Sequence, residues 1–264
     1  MRGGHSWRTR HGRHCGGMLS SAPVREALAG ALSFAFPVWC AGCDEPDTSL
    51  CFACRRALEP ALRLRQLDSG ITVVSALAFD DVPARVIRAL KEGGRTGLAR
   101  PLGLALRVAL DEALGGRHVA DGVLVVPIPS ARAAFRRRGY TPIELLLRHA
   151  GVIPARLLGT QRAVADQRTL GRAQRLLNVS GSMRLRGLSS RNSCRISGRR
   201  VVLVDDVVTT GATLSEAART LSAAGADVVG AATVAATLRT GVGPGTGTGA
   251  GTDERTGDAK QDSR

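Results

Sequence analysis

Four consecutive aliphatic residues, Val201, Val202, Leu203 and Val204, run straight into Asp205 and Asp206 and then into a small-residue loop of Thr209, Thr210, Gly211, Ala212 and Thr213. An unbroken aliphatic run of this length suits a strand buried on both faces, and such strands belong to parallel sheets covered by helices. A helix is expected over 213–224, closed by Gly225, with the next strand over 228–236. Ligands of open α/β sheets settle beyond the carboxyl ends of the strands, where this loop lies. Its backbone N–H groups and hydroxyls at a helix N-terminus suit a phosphate dianion, and Gly211 lets the backbone approach without a Cβ. Successive strand residues point to opposite faces, so at least one of Asp205 and Asp206 can accept hydrogen bonds from ribose hydroxyls. A carboxylate there can also hold Mg²⁺ through waters. The pattern G-x-x-x-x-G-K-[ST] occurs nowhere, which excludes a P-loop nucleoside triphosphatase.

Upstream, strands are expected over 72–79 and 123–128, and helices over 83–91, 98–114 and from 143 to 149. Strands alternating with helices predict an α/β fold, a doubly wound parallel sheet with right-handed crossovers. Only 3% of residues are aromatic, so the core must be built from Ala, Val and Leu. Residues 23–36 carry apolar positions at helical spacing, whereas residues 1–22 hold Gly, Arg, His and Ser without periodicity and read as a disordered basic leader. Met18 is an alternative start to Met1. The chain from 241 to 264 is Gly/Thr-rich and then charged, and reads as a disordered tail. The expected organisation is a leader over 1–22, a helix and cysteine module over 23–60, an α/β domain over 66–240 and the tail. The longest apolar stretch, residues 27–38, is too short to span a bilayer, and no signal-peptide cleavage pattern follows it, so a cytoplasmic location is expected.

Cys40-x-x-Cys43 and Cys51-x-x-Cys54 are separated by seven residues. Four thiolates at this spacing match a closed, structural Zn²⁺ site with no position left for catalysis, and a pair of disulfides is the alternative. Cys15 and Cys194 stand alone and receive no role.

The net charge of +15 is concentrated: residues 131–200 hold 16 Arg against two acids, Glu144 and Asp166. This is either an anion-binding face, for phosphates or a nucleic-acid backbone, or the composition of an Arg- and Gly-rich chain.

The 201–213 segment resembles the 5-phosphoribosyl-1-pyrophosphate (PRPP) motif of type I phosphoribosyltransferases. The paired cysteines narrow the resemblance to the competence-associated, amidophosphoribosyltransferase-like ComF family. So do Ala89-Leu90-Lys91 with Gly93-Gly94-Arg95, Val126-Pro127-Ile128-Pro129, Arg138-Gly139-Tyr140, and Gln167 to Leu170 with Arg175 and Asn178. The likeness runs from about residue 33 to 240. It implies a 5-phosphate held by Thr209, Thr210, Gly211, Ala212 and Thr213, and ribose hydroxyls held by Asp205 and Asp206. It implies a pyrophosphate loop at Pro127 to Ser130 with Arg132, and a lid over 167–178 whose Arg168 and Arg172, with Arg175, act on the leaving pyrophosphate. Asp205, Asp206, Arg168 and Arg172 are then the catalytic candidates, with Mg²⁺ accompanying PRPP. The family usually continues Arg-Gly with Asn-Gln, where this chain has Tyr140, Thr141 and Pro142. Lys91, the only lysine between residues 23 and 240, is either an anion contact or a solvated helix end.

Three functions follow from these readings. One is pentosyl transfer to an unidentified acceptor, in DNA uptake or nucleotide salvage. The others are a single-stranded-DNA-binding accessory to the DNA-uptake machinery and a PRPP-sensing regulator without turnover.

Overall fold

The computed structural model describes residues 38–116, 119–160, 181–186 and 196–237. The leader, the helix expected over 23–36, Cys15, Cys194, the tail from 241 and the 167–178 segment with Arg168, Arg172 and Arg175 lie outside these residues.

The elements in chain order are α1 (Phe52–Arg56), β1 (Arg63–Gln66), β2 (Thr72–Ala78), α2 (Asp81–Lys91), α3 (Ala99–Ala113), β3 (Leu124–Pro127), α4 (Arg132–Arg138), α5 (Pro142–His149), β4 (Leu158–Thr160), β5 (Met183–Leu185), β6 (Arg200–Val208), α6 (Ala212–Ser222) and β7 (Asp227–Ala236). Five strands form one sheet in the order β1-β2-β7-β6-β3. Strands β2, β7, β6 and β3 are mutually parallel, and β1 is an antiparallel edge. β4 and β5 make a separate antiparallel pair.

The sheet is covered on both faces, and the alternation along each strand assigns its residues to one side or the other. Val74, Val125, Val202, Val204 and Ala232 share a core with Ile87 and Leu90 of α2, Leu102, Leu106 and Leu110 of α3, and Leu146 and Leu147 of α5. Val73, Val126, Val201, Leu203 and Ala231 face the other way and pack with Leu214, Ala217 and Leu221 of α6. Each fully buried Leu contributes about 1.5–3 kcal/mol relative to exposure. α3 and α5 cross closely at Gly103, where a Cβ would lie 2.7 Å from both the His149 Cβ and the Leu146 carbonyl oxygen. Gly inside a helix costs about 1 kcal/mol against Ala, and here the approach of the second helix requires it.

The strand expected to end at Val204 continues to Val208, so both acids lie within it. The aliphatic pattern stops at Asp205, but the ladder to β7 does not: Asp205 opposes Thr233 and Val208 opposes Ala236. β1 is an additional strand; it begins at Arg63 and is mostly exposed, so it lacks an apolar signature and exists through its pairing with β2. The cysteine segment sits on the first of the two cores, which includes Cys40, Cys51, Cys54 and Leu58.

Candidate functional site

Parallel pairing of β3 and β6 sets Pro127 opposite Val204, and the Ile128 N–H donates to the Val204 carbonyl at 2.9 Å. The exit of β3, through Pro129 and Ser130 into α4 at Arg132, therefore leaves the sheet beside Asp205 and Asp206. The loop 209–211 follows two residues beyond the acids and ends at Gly211, which caps α6 in the left-handed region at φ 85°. The expected pyrophosphate loop, acid pair and phosphate loop thus come together on one sheet edge.

The two acids differ because they face opposite sides of the sheet. Asp205 continues the row of Val201 and Leu203 toward the α6 side, in register with Thr233, which in turn opposes Ser75. The Ser75 and Thr233 hydroxyls, buried beneath the site, satisfy each other at 2.7 Å. One Asp205 oxygen accepts the Asp206 backbone N–H at 2.8 Å. Burial and, secondarily, the charge of Asp206 push the Asp205 carboxyl up to about 8, against the Asp206 N–H and the Lys91 charge. Asp206 faces the α2 side, where the Lys91 ammonium donates to its Oδ1 at 2.8 Å.

Lys91 is the last residue of α2, and two contacts fix that helix end. The Tyr140 hydroxyl donates to the Leu90 carbonyl, and Arg138 Nη1 donates to the Lys91 carbonyl at 3.2 Å. Arg and Tyr of the Arg138-Gly139-Tyr140 stretch thus satisfy orphan carbonyls at the helix terminus. Of the two readings of Lys91, the solvated helix end is set aside by its ion pair to Asp206. Arg65 of β1 is a site residue that sequence reasoning missed. Its Nη1 and Nη2 donate to the Thr209 and Thr210 carbonyls at 2.6 and 3.0 Å. With those carbonyls drawn toward β1, Thr210 Oγ1 accepts the Ala212 N–H at 3.3 Å, and Thr213 follows in the first turn of α6. Nothing in the sequence near Arg65 marks it, because its partners are 144 and 145 residues away.

The four cysteines form a second centre. Cys51 caps α1, its sulfur 3.5 Å from the Cys54 N–H, and the Cys40 sulfur accepts from the N–H groups of Gly42 and Cys51, each at 3.4 Å. All four sulfurs lie within 4.8 Å of one another, and those of Cys43 and Cys51 are 3.7 Å apart. Four sulfurs about 2.3 Å from a tetrahedral metal are spaced by about 3.8 Å, whereas a disulfide needs about 2.05 Å. The cysteines are free thiols, so the cluster fits a metal ion and the disulfide alternative is set aside. Burial raises the Cys40 thiol, but the N–H groups of Cys51, Gly42 and Cys43 outweigh it and bring the group down to about 6. Burial and its sulfur neighbours push Cys54 far up. A cation among four converging sulfurs relieves this conflict, since metal binding displaces the thiol protons.

A phosphoribosyl transferase domain matches residues 137–244. The DNA utilization protein YhgH of Escherichia coli K12 is 29% identical over 201 residues, covering 72% of this chain and 80% of that protein. YhgH of Escherichia coli O157:H7 is 28% identical over 197 residues with the same coverage. A 39-residue stretch, 15% of this chain, is 56% identical to adenine phosphoribosyltransferase of Mycobacteroides abscessus and covers 22% of that enzyme. Among solved structures, adenine phosphoribosyltransferase of Saccharomyces cerevisiae aligns at 16% identity and a TM-score of 0.31, over 70% of this chain and 89% of that one.

Proposed function

This chain is a phosphoribosyl transferase-domain protein of the ComF family, and from that premise we propose that it binds PRPP at the β3–β6 edge and transfers its phosphoribosyl group in the service of DNA utilization. The observation that carries the reading is the meeting of three elements on one edge: the acid pair of β6, the left-handed cap at Gly211 and the β3 exit at Ser130. In this reading the N–H groups and hydroxyls of Thr209, Thr210, Gly211, Ala212 and Thr213 hold the 5-phosphate. Asp206, paired with Lys91, accepts a ribose hydroxyl. Asp205, its carboxyl pushed up to about 8, donates to a neighbouring ligand oxygen at neutral pH. Ser130 and Arg132 stand on the pyrophosphate side, and Arg168 and Arg172 complete the anion charge. Mg²⁺, when bound with PRPP, supplies neutralisation of the pyrophosphate. Every role assigned to the protein is positioning and electrostatics.

Cys40, Cys43, Cys51 and Cys54 hold a structural Zn²⁺ in this proposal. All four ligand positions come from the chain, which leaves no open position for catalysis. Among the described residues no helix is long and apolar enough to cross a membrane. A cytoplasmic location accords with cysteines that remain thiols.

Calorimetric titration with PRPP and Mg²⁺ tests the reading. Binding in the micromolar range is expected, and Asp205→Asn combined with Asp206→Asn should abolish it while the chain stays folded and metal-loaded. Unchanged affinity in that double variant removes the site assignment. Pyrophosphate release with candidate acceptors then separates transfer from binding alone.

A further inference from the structure

A cleft of about 540 Å³ opens beside the β3 exit, between that loop, α4, α5 and the β4–β5 pair; Pro127 to Ser130 line it, whereas Asp205, Asp206 and residues 209–213 do not. Its volume lies within the range of sites for small organic ligands. The walls are of two kinds. Ile128, Pro129, Ile143 and Leu158 form an apolar surface, and Phe135 of α4 adds an aromatic ring that is 49% exposed. A large aromatic side chain left half in water at the mouth of a cleft is a surface on which a flat ring can stack.

The second kind is cationic. Arg136, Arg156 and Arg186 all line the cleft, against one acid, Glu144. Arg156 grips Glu144 in a two-bond fork, Nε to Oε1 at 2.6 Å and Nη2 to Oε2 at 2.8 Å, so the acid is neutralised from within. Arg136 and Arg186 are left exposed, and the lining carries a formal charge of +2. A phosphate monoester bears about −1.5 to −2 at neutral pH and matches that charge, whereas each phosphodiester bears only −1. Guanidinium groups also suit phosphate by geometry, since they donate in pairs.

We propose that this cleft binds a nucleotide through its terminal phosphate monoester and its base, the phosphate against Arg136 and Arg186 and the base over Phe135. The cleft adjoins the PRPP edge and shares the Pro127–Ser130 loop with it, but Phe135, Arg136 and Arg186, which hold the nucleotide, have no part in the PRPP reading. The same chemistry is offered by a free mononucleotide and by the 5′-phosphorylated end of a single DNA strand.

Calorimetric titration of the full-length, metal-loaded protein with dTMP, thymidine and inorganic phosphate tests the proposal. All three of Phe135, Arg136 and Arg186 are exposed, so their substitution leaves the fold in place. The expected result is that dTMP binds at least about tenfold more tightly than either fragment. Arg136→Ser with Arg186→Ser, and separately Phe135→Ala, should each weaken dTMP at least about tenfold, with PRPP affinity unchanged. A 5′-phosphorylated oligo(dT) that binds more tightly than dTMP, and more tightly than its 5′-hydroxyl form, identifies a DNA end as the source. Equal affinities of oligonucleotide and dTMP identify the free nucleotide. Absence of dTMP binding at millimolar concentration overturns the proposal, as does retention of full affinity in the arginine variant. Loss of dTMP binding in Asp205→Asn/Asp206→Asn overturns it too, by moving the nucleotide to the acid pair. A protein that binds dTMP but not PRPP keeps this site and removes the PRPP reading.

Discussion

Gly211 joins the 209–211 loop to α6, and replacing it with Ala tests two demands at once. At φ 85° the residue sits where an L side chain costs about 1–2 kcal/mol. A Cβ there would also lie 2.4 Å from Leu67 Cδ2 and 2.9 Å from Leu67 Cδ1. Leu67 is only 6% exposed and packed into the α6-side core, so it cannot swing into water. Forcing a methyl group into such a place costs about 1–3 kcal/mol. Gly211→Ala should therefore lower stability by about 2–5 kcal/mol, read as a fall in the urea midpoint at unchanged m-value. Leu67→Ala alone should cost about 2–5 kcal/mol from lost packing. Because each change relieves part of the other, the double variant should be more stable than the sum of the singles by about 1–3 kcal/mol. Additivity to within about 0.5 kcal/mol would refute the contact, and a Gly211→Ala loss below about 1 kcal/mol would refute the backbone argument as well.

Asp205 gives stability a pH dependence of definite sign. Its folded-state carboxyl titrates near 8 instead of 3.8, so the folded chain holds an extra proton between those values. The stabilisation is complete below about pH 4 and is lost as pH rises through about 8; Asp205→Asn should flatten that slope, and an unaltered slope in the variant counts against the raised carboxyl. Lys91→Met should cost about 1–3 kcal/mol by leaving the partly buried Asp206 without its cation, and adding Asp206→Asn should restore most of it in thermal melts. If the second substitution restores nothing, the ion pair is not what Lys91 contributes. Cys51→Ser should take the bound metal from one equivalent per chain to near zero by elemental analysis, and a full equivalent in the variant would refute the four-sulfur site.

The strand of Asp205 and Asp206, the Gly211 turn and the helix after it were legible in the sequence because their signals are contiguous. Val201 to Val204, the acids and the glycine cap act on backbone within a few residues of one another, and the helices over 83–91 and 98–114 were visible through the same local periodicity. The cysteine cluster was legible for a related reason, since two C-x-x-C pairs need only a short turn to converge. β1 and the β4–β5 pair left no such trace. Arg63 to Gln66 show no alternation of burial, and β4 and β5 are three residues each, so only their cross-strand partners make them strands.

The sequence by itself determined the class of fold and the chemical types at the sheet edge, because strand burial, helix periodicity and loop chemistry are local properties of the chain. The tertiary structure alone decided that Lys91 meets Asp206, that Arg65 holds the carbonyls of Thr209 and Thr210, and that Tyr140 fixes the end of α2. It also split two adjacent aspartates into one whose carboxyl is pushed up to about 8 and one paired with Lys91, since only the packing of the sheet says what stands on each of its faces. Those pairings join residues 50 to 145 positions apart, and a charge separated by that much chain finds its partner only after the sheet has set the distance between them.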